Sequence, residues 1–67
     1  MNLKELRDKV GFTQRSAAEK IGVNKSAVER WEYGTREVDY KHACKIAKAY
    51  GVPIEVVWMA ILDTLRK

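Results

Sequence analysis

Residues 13–34 read TQRSAAEKIGVNKSAVERWEYG. Ala17 and Ile21 are spaced as on one face of a helix, and the pattern stops at Gly22 and resumes after Asn24. Glycine readily adopts the left-handed backbone that ends a helix, and asparagine is a favoured N-cap for the next one. The stretch therefore predicts two short helices joined by a sharp turn.

Similar signals for helix starts and ends occur on both sides of this pair. Asn2, with Glu5 three positions later, has the pattern of a capping box. The predicted starts and ends are Asn2 and Gly11, Thr13 and Gly22, Asn24 and Gly34, and Asp39 and Gly51, with Pro53 opening a fifth helix. We expect one all-α domain over residues 1–67, with a helix-turn-helix at 13–34 and a last helix at 53–66.

Apolar spacing assigns a buried side to the last two helices. In the fourth helix the predicted buried residues are Tyr40, Ala43, Cys44, Ala47 and Tyr50, with Ile46 at the margin. In the fifth helix they are Ile54, Val57, Trp58, Ile61, Leu62 and Leu65. Val56, Met59 and Ala60 widen the apolar surface of the fifth helix beyond one side. Part of this surface packs in the core, and we expect these three residues to lie at a homodimer interface.

Composition excludes several classes of protein. A chain of 67 residues, 46% hydrophobic and 33% charged, predicts a small soluble domain with little room for a catalytic cleft. The one cysteine favours a reducing compartment, and the longest strongly apolar stretch, residues 56–62, is far shorter than the ~20 residues of a membrane span. Cys44 is predicted in the core and His42 exposed, without further metal ligands nearby. We expect a cytoplasmic protein that is not an enzyme and binds no metal, cofactor, membrane or small molecule.

The outward side of the third predicted helix carries polar groups suited to DNA. Ser26, Glu29, Arg30 and Tyr33 fall at i, i+3, i+4 and i+7, with Lys25 beside them. Hydroxyl, guanidinium, phenol and ammonium groups match base edges and phosphates. A single helix fits the major groove of B-DNA, which is about 12 Å wide. The net charge of +4 permits such binding without requiring it.

Several segments together resemble one family. They are LKELR at 3–7, TQ-x-x-x-A-x-x-x-G-V at 13–23, NKSAV-x-R-W-E-x-G at 24–34 and KIAKAYGVP at 45–53. This order and spacing resembles the helix-turn-helix domain of lambdoid phage repressors, Cro proteins and xenobiotic-response-element (XRE) regulators, over about residues 2–57. The resemblance implies a lambda-repressor-like fold that binds DNA in a sequence-specific manner.

The resemblance also implies roles for individual positions. By this resemblance, Gln14 at the start of helix two would bind a phosphate, and the bases would be contacted by Lys25, Ser26 and Arg30. Asn24 and Tyr33 would contact the DNA backbone or the groove edge, and Arg7 would form a structural salt bridge with Glu32. Ala17 stands where the family usually has a leucine, so we expect Phe12 or Trp31 to fill the core there.

The chemistry of the residues leaves several of these roles open. Arg30 suits the O6 and N7 of a guanine, or it is a solvated residue paired with Glu29 or Glu32. Lys25 contacts a base or a phosphate, and Ser26 contacts a base or caps the helix. Glu29 accepts from a cytosine amino group or, as we prefer, orients Arg30.

Backbone contacts are predicted at the edges of this surface. Tyr33 either donates to a phosphate or covers the end of its helix. Arg15, Arg36 and Lys41 lie where the DNA backbone would pass, although each is equally expected as a solvated surface residue.

These observations predict a transcriptional regulator of the Cro or repressor type. We expect a homodimer that occupies a palindromic double-stranded operator and blocks transcription at the nucleoid of a bacterial or phage-infected cell. The rival hypothesis is a helix-turn-helix module that binds another protein, as an antitoxin or a bridging adaptor, with DNA binding secondary. Its contact surface would then be the apolar side of the fifth helix.

Overall fold

Five α-helices form the regular structure of the computed structural model, which describes residues 1–66. In chain order they are α1 (Leu3–Val10), α2 (Gln14–Ile21), α3 (Lys25–Tyr33), α4 (Tyr40–Tyr50) and α5 (Ile54–Leu65). Lys67, the last residue of the predicted domain, lies outside the described residues. Residues 1–66 contain no strand, and the predicted all-α fold is confirmed.

Local side-chain caps determine where the first two helices begin. Asn2 Oδ1 accepts from the Glu5 amide over 2.8 Å, and Glu5 Oε1 accepts from the Asn2 amide over 2.9 Å, which forms the predicted capping box. A second box, not predicted, joins Thr13 and Ser16 at the start of α2. Serine in place of the usual glutamate or glutamine hides this box in the sequence.

The turn between α2 and α3 depends on one glycine. Gly22 has a φ of +94°, in the left-handed region, and its N–H donates to the Ala18 carbonyl over 2.8 Å. A Cβ at this position would meet nothing within 4 Å, so glycine is needed for its backbone conformation rather than for space. Val23 N–H donates to the same carbonyl over 3.0 Å, and Asn24 caps α3 directly afterwards.

The core lies where α2 packs against α3 and α4, and where α5 packs against α4 and α1. Ala17 has no exposed surface, and Trp31 is 3% exposed. Phe12 packs against the same core, with its ring centroid 5.6 Å from that of Tyr50. Both aromatic residues that were expected to compensate for the small Ala17 therefore contribute to the core.

Three residues of α4 differ from the prediction. Tyr40, predicted to be buried, is 68% exposed, and Ile46, predicted at the margin, is 2% exposed. Cys44, also predicted in the core, is half-buried. The core side of α4 is centred between Ala43 and Ile46, so Tyr40 at the first helical position projects past it. The Tyr40 ring instead stacks on that of Trp58, with centroids 6.3 Å apart.

The buried side of α5 consists of Val57, Ala60, Ile61 and Thr64. Ala60 is 2% exposed, which corrects its prediction as a dimer-interface residue. Leu62 and Leu65, predicted to be buried, are 56% and 47% exposed. Thr64 completes this buried side at i, i+3, i+4 and i+7, and its hydroxyl accepts from the Leu3 amide over 2.9 Å and donates to the Ala60 carbonyl over 2.8 Å. A polar residue thus takes the core position in the last turn, and the two leucines lie outside it.

Candidate nucleic-acid interface

The outward side of α3 is a polar surface, as the spacing predicts. Lys25, Ser26, Arg30 and Tyr33 are all exposed, Tyr33 to 71%. The opposite side of the same helix is buried in the core. Because α3 is anchored by its buried side, it holds these four exposed side chains at fixed positions, where a ligand could contact them.

Glu29 pairs with Lys25 and not with Arg30. Lys25 Nζ lies 3.6 Å from Glu29 Oε2, four residues along the helix. Residues at this spacing are neighbours on a helix, whereas adjacent residues diverge by about 100°. The prediction that Glu29 orients Arg30 is therefore wrong. Within residues 1–66 the Arg30 guanidinium makes no hydrogen bond or ion pair, so its fork of donors is available to an acceptor.

Ser26 and Asn24 form a small hydrogen-bonded cap at the start of α3. Asn24 Oδ1 accepts from the Ala27 amide over 3.1 Å and from Ser26 Oγ over 2.9 Å. Both roles left open for Ser26 are therefore compatible, because a hydroxyl that donates to the cap still has lone pairs for a base amino group. The capping carbonyl of Asn24 is occupied, whereas no hydrogen bond within residues 1–66 uses its Nδ2 donors.

The Arg7–Glu32 ion pair is present and links the first three helices. Arg7 Nε donates to Glu32 Oε2 over 2.7 Å, and both side chains are only 8% exposed. Arg7 Nη2 and Gln14 Nε2 both donate to Glu32 Oε1, over 3.2 and 3.1 Å. Arg7 Nη1 also donates to the Phe12 carbonyl over 2.9 Å. The hydrogen bond with Glu32 raises the pKa of Arg7 above its usual value.

The bond from Gln14 to Glu32 was not predicted, although both residues were singled out separately. Gln14 is the first residue of α2, beside backbone N–H groups that have no partner within the helix. One amide proton of Gln14 is held by Glu32, which leaves the second to donate elsewhere. The side chain at this helix start is therefore oriented before any ligand arrives.

An open groove runs beside the start of α2. Its lining residues are Lys4, Arg7, Asp8, Phe12, Thr13, Gln14, Arg15 and Lys25. The groove thus carries four cations against one carboxylate and receives the positive end of the α2 dipole. Lys4 is a basic residue that sequence reasoning missed. Its position one turn before Arg7 on α1 was the available signal.

A model of the helix-turn-helix family, in its XRE branch, matches residues 3–57. The chain belongs to this family. Two curated relatives from Bacillus subtilis (strain 168) agree with that assignment. An uncharacterized HTH-type transcriptional regulator, YqaE, is 35% identical over 54 residues, which cover 81% of this chain and 47% of the relative. The HTH-type transcriptional regulator ImmR is 36% identical over 50 residues, which cover 75% of this chain and 39% of the relative.

The chain spans less than half the length of these two relatives. The shared part is the helix-turn-helix region, and the family match ends at Val57, inside α5. No solved structure matches the chain significantly.

Two further residues that were predicted to contact phosphates lie between the end of α3 and the first turn of α4. Arg36, between α3 and α4, and Lys41, in the first turn of α4, are both exposed. Asp39 caps α4 through Oδ1, which accepts from the His42 amide over 2.8 Å and lies 2.7 Å from His42 Nδ1. These hydrogen bonds, the backbone one first, lower the pKa of Asp39.

His42 is half-buried, in contrast to its predicted exposure. Its ring lies 5.3 Å from that of Trp31, so it packs on the end of the core. In residues 1–66 no three His, Cys, Asp or Glu side chains cluster to hold a metal, and no helix is long and apolar enough to cross a membrane. His42 is thus part of the α4 cap.

Proposed function

We propose that this protein is a sequence-specific DNA-binding transcriptional regulator that inserts α3 into the major groove. The observation that carries the proposal is the Arg30 guanidinium, exposed on the outward side of α3 and without an ion pair in residues 1–66. An unpaired arginine fork at this position suits the O6 and N7 acceptors of a guanine. Lys25 and Ser26, one turn earlier on the same side, would contact neighbouring bases.

The groove beside α2 supports a backbone contact at the same time. Gln14 is pre-oriented by Glu32 and would donate its second amide proton to a phosphate. Lys4 and Arg15 flank it and carry no ion pair within residues 1–66. Phosphate contacts of this kind set the register of the protein on DNA, while α3 reads the bases.

Other predicted contacts would lie around this centre. Asn24 would donate to the backbone through Nδ2, and Tyr33 would lie at the groove edge. Arg36 and Lys41 would meet the phosphate backbone on the α4 side. Glu29, paired with Lys25, would position that ammonium and reduce its attraction for a phosphate.

We further propose that the protein acts as a homodimer through an apolar patch formed by Tyr40, Val56, Trp58, Met59 and Leu62. Tyr40, Met59 and Leu62 are 68%, 63% and 56% exposed, and Trp58 stacks on Tyr40. Large apolar side chains gathered on one surface mark a protein contact. A single module buries only about 600–1,000 Å² on DNA, so a second copy would add affinity and recognise a palindrome with half-sites about 34 Å apart. Occupation of such an operator would block transcription sterically, without a cofactor, and the protein would act in the cytoplasm at the nucleoid.

The same patch favours a second candidate function, a helix-turn-helix adaptor or antitoxin that binds a different protein. The two candidates differ in what covers the patch. A stable dimer of the free chain supports the first, whereas a free monomer that is stabilised only by a heterologous protein supports the second.

Selection from a random duplex library tests the DNA-binding proposal. The protein, Arg30→Ala and the control Lys9→Ala would be selected at about 150 mM salt, where phosphate attraction alone is weak. Lys9 is exposed on α1 and lies outside the groove and α3. We expect the protein and the control to enrich the same palindrome, which Arg30→Ala fails to recover. Binding without enrichment, fading as salt rises, would contradict sequence-specific recognition.

A further inference from the structure

A second groove lies between the C-terminal half of α2 and α4, and the proposed DNA contacts do not use it. It encloses about 420 Å³ and is lined by Lys20, Ile21, Lys45, Lys48 and Ala49. The three lysines are exposed, whereas Ile21 is 6% exposed and Ala49 is half-buried. The groove therefore has an apolar floor and ammonium groups on both sides, with no carboxylate among its lining residues.

In the described part of the chain, the three lysines that line this groove have no acidic partner in contact, although the exposed Glu19 precedes Lys20 on α2. None of the three lysines forms an ion pair within residues 1–66. The sequence of α4, YKHACKIAKAY, contains no acidic residue. Lys20 and Lys48 lie in the last turns of their helices, where a cation stabilises the helix dipole. Helix stabilisation does not account for Lys45, in the middle of α4, or for the convergence of all three on one groove.

The groove lies beyond the proposed DNA contacts along both helices, and Lys45 is one turn after Lys41 on the same side of α4. Lys20 is six residues after Gln14, which corresponds to about 9 Å along the axis of α2. Lys45 and Lys48 follow Lys41 by four and seven residues, about 6 and 10 Å along α4. No residue of α3 lines the groove. A ligand here would therefore leave the outward side of α3 uncovered.

We propose that this groove binds an acidic, amphipathic segment of a partner protein. One apolar side chain of the segment would lie on Ile21 and Ala49, and its carboxylates would face Lys20, Lys45 and Lys48. The apolar floor favours a peptide over a nucleic-acid backbone, because a phosphate gains nothing from contact with isoleucine and alanine. Opposite charges give the pairing its specificity and its salt dependence.

A peptide titration tests the proposal with the full chain and without DNA, so its outcome is independent of the proposed DNA binding. The probe is a short synthetic helical peptide with a leucine stripe flanked by aspartate and glutamate, and its control carries asparagine and glutamine instead. Amide ¹H–¹⁵N spectra would locate the peptide, and fluorescence anisotropy would give its affinity. We expect shifts centred on Ile21 and Ala49, with affinity falling as salt rises and absent for the control peptide.

The triple variant Lys20→Gln, Lys45→Gln, Lys48→Gln is expected to lower the affinity for the acidic peptide by about tenfold. The control Lys9→Gln should change it little, and urea unfolding of each variant would verify that the fold is intact. Shifts centred on α3 or on the apolar patch of α5, or no binding at all, would overturn the proposal. So would a triple variant that lowers the salt slope of operator binding by about 0.9 per lysine, since the lysines would then be phosphate contacts.

Discussion

Gln14 Nε2 lies 3.1 Å from Glu32 Oε1, so a carboxylate of α3 holds the first side chain of α2. The same carboxylate accepts two hydrogen bonds from Arg7 of α1. One nearly buried acidic group therefore joins three helices and orients a proposed phosphate contact. We expect the stability of the domain and its proposed affinity for DNA each to depend on this group.

Removal of the Arg7 charge should cost much of the stability of this domain. Arg7→Met keeps an apolar stem but leaves the Glu32 carboxylate buried without its main partner. We expect the free energy of unfolding to fall by about 3–5 kcal/mol, measured by urea denaturation. The double variant Arg7→Met, Glu32→Leu should recover much of that loss, because no charge is then left buried. A single-variant loss below about 1 kcal/mol would mean that the pair behaves as a solvated one.

Arg30→Ala and Gln14→Ala should weaken DNA binding in different ways. Loss of Arg30 removes a base contact and should cost about 1–3 kcal/mol on the selected site, with relaxed preference at one base pair. Loss of Gln14 removes a backbone contact and should weaken binding to all sequences alike. Fluorescence anisotropy on the selected duplex and on a scrambled one distinguishes the two. Equal losses on both duplexes for Arg30→Ala would refute base recognition by this residue.

Leu62→Lys should shift the protein towards monomer. Leu62 is 56% exposed on α5, so a lysine there adds a charge to the apolar patch without disturbing the core. We expect the dimer dissociation constant to rise by about tenfold or more in sedimentation equilibrium. The matched control is Glu19→Lys, at an exposed position of α2. If both variants leave the association state unchanged, the apolar patch is not the dimer interface.

Asp39→Asn should make the free energy of unfolding less dependent on pH in the acid range. Hydrogen bonds from His42 lower the pKa of Asp39 below its usual 3.8 in the folded protein, so its charge stabilises the fold above that pH. This stabilisation is lost as the pH falls through the folded-state value. Asparagine still caps the helix but carries no charge, so the variant should be less stable than the parent near neutrality, and the gap should close below pH 3.8. Urea midpoints across the pH range measure this.

The control for this experiment is Glu37→Gln, which removes an exposed carboxylate that caps no helix. This variant removes one charge of the same sign and leaves the Asp39 cap in place, so it separates the effect of net charge from that of the cap. A constant gap for Asp39→Asn would show that the Asp39 charge does not contribute to the cap.

Gly22→Ala should destabilise the α2–α3 turn through the backbone alone. The φ of +94° is unfavourable for an L side chain, and no atom lies within 4 Å of a Cβ there. We expect a loss of about 1–2 kcal/mol in unfolding free energy. Gly22→Asn should lose less, because asparagine tolerates the left-handed region. An alanine variant as stable as the asparagine one would contradict this account.

The helix starts were predictable because capping is local. Asn2, Asn24 and Asp39 each bond to a backbone amide three residues later, so neighbouring letters contain the whole interaction. The Arg7–Glu32 pair spans 25 residues and was reached only through the family resemblance. Physical contacts across such a separation leave no trace in the local pattern of residues.

The errors have the same origin. Spacing alone placed Leu62 inside and Ala60 at an interface, whereas the buried side of α5 includes Thr64, whose hydroxyl accepts from the Leu3 amide 61 residues away. Glu29 was given the wrong partner because two cations lay within reach, and helix geometry favours the one a full turn away.

Because of Thr64, the packed domain extends beyond the residues that match the family. The match to the family ends at Val57, yet the amide of Leu3 has its acceptor seven residues beyond that point. The carbonyl of Thr64 and a methyl group of Leu65 also lie 3.6 and 3.8 Å from where a Cβ of Gly34 would be, at the end of α3. The last turn of α5 therefore contacts both the start of α1 and the end of α3, the proposed recognition helix. We therefore expect substitutions at Thr64 or Leu65 to change how firmly α1 and α3 are held, although both residues lie outside the part of the chain that matches the family.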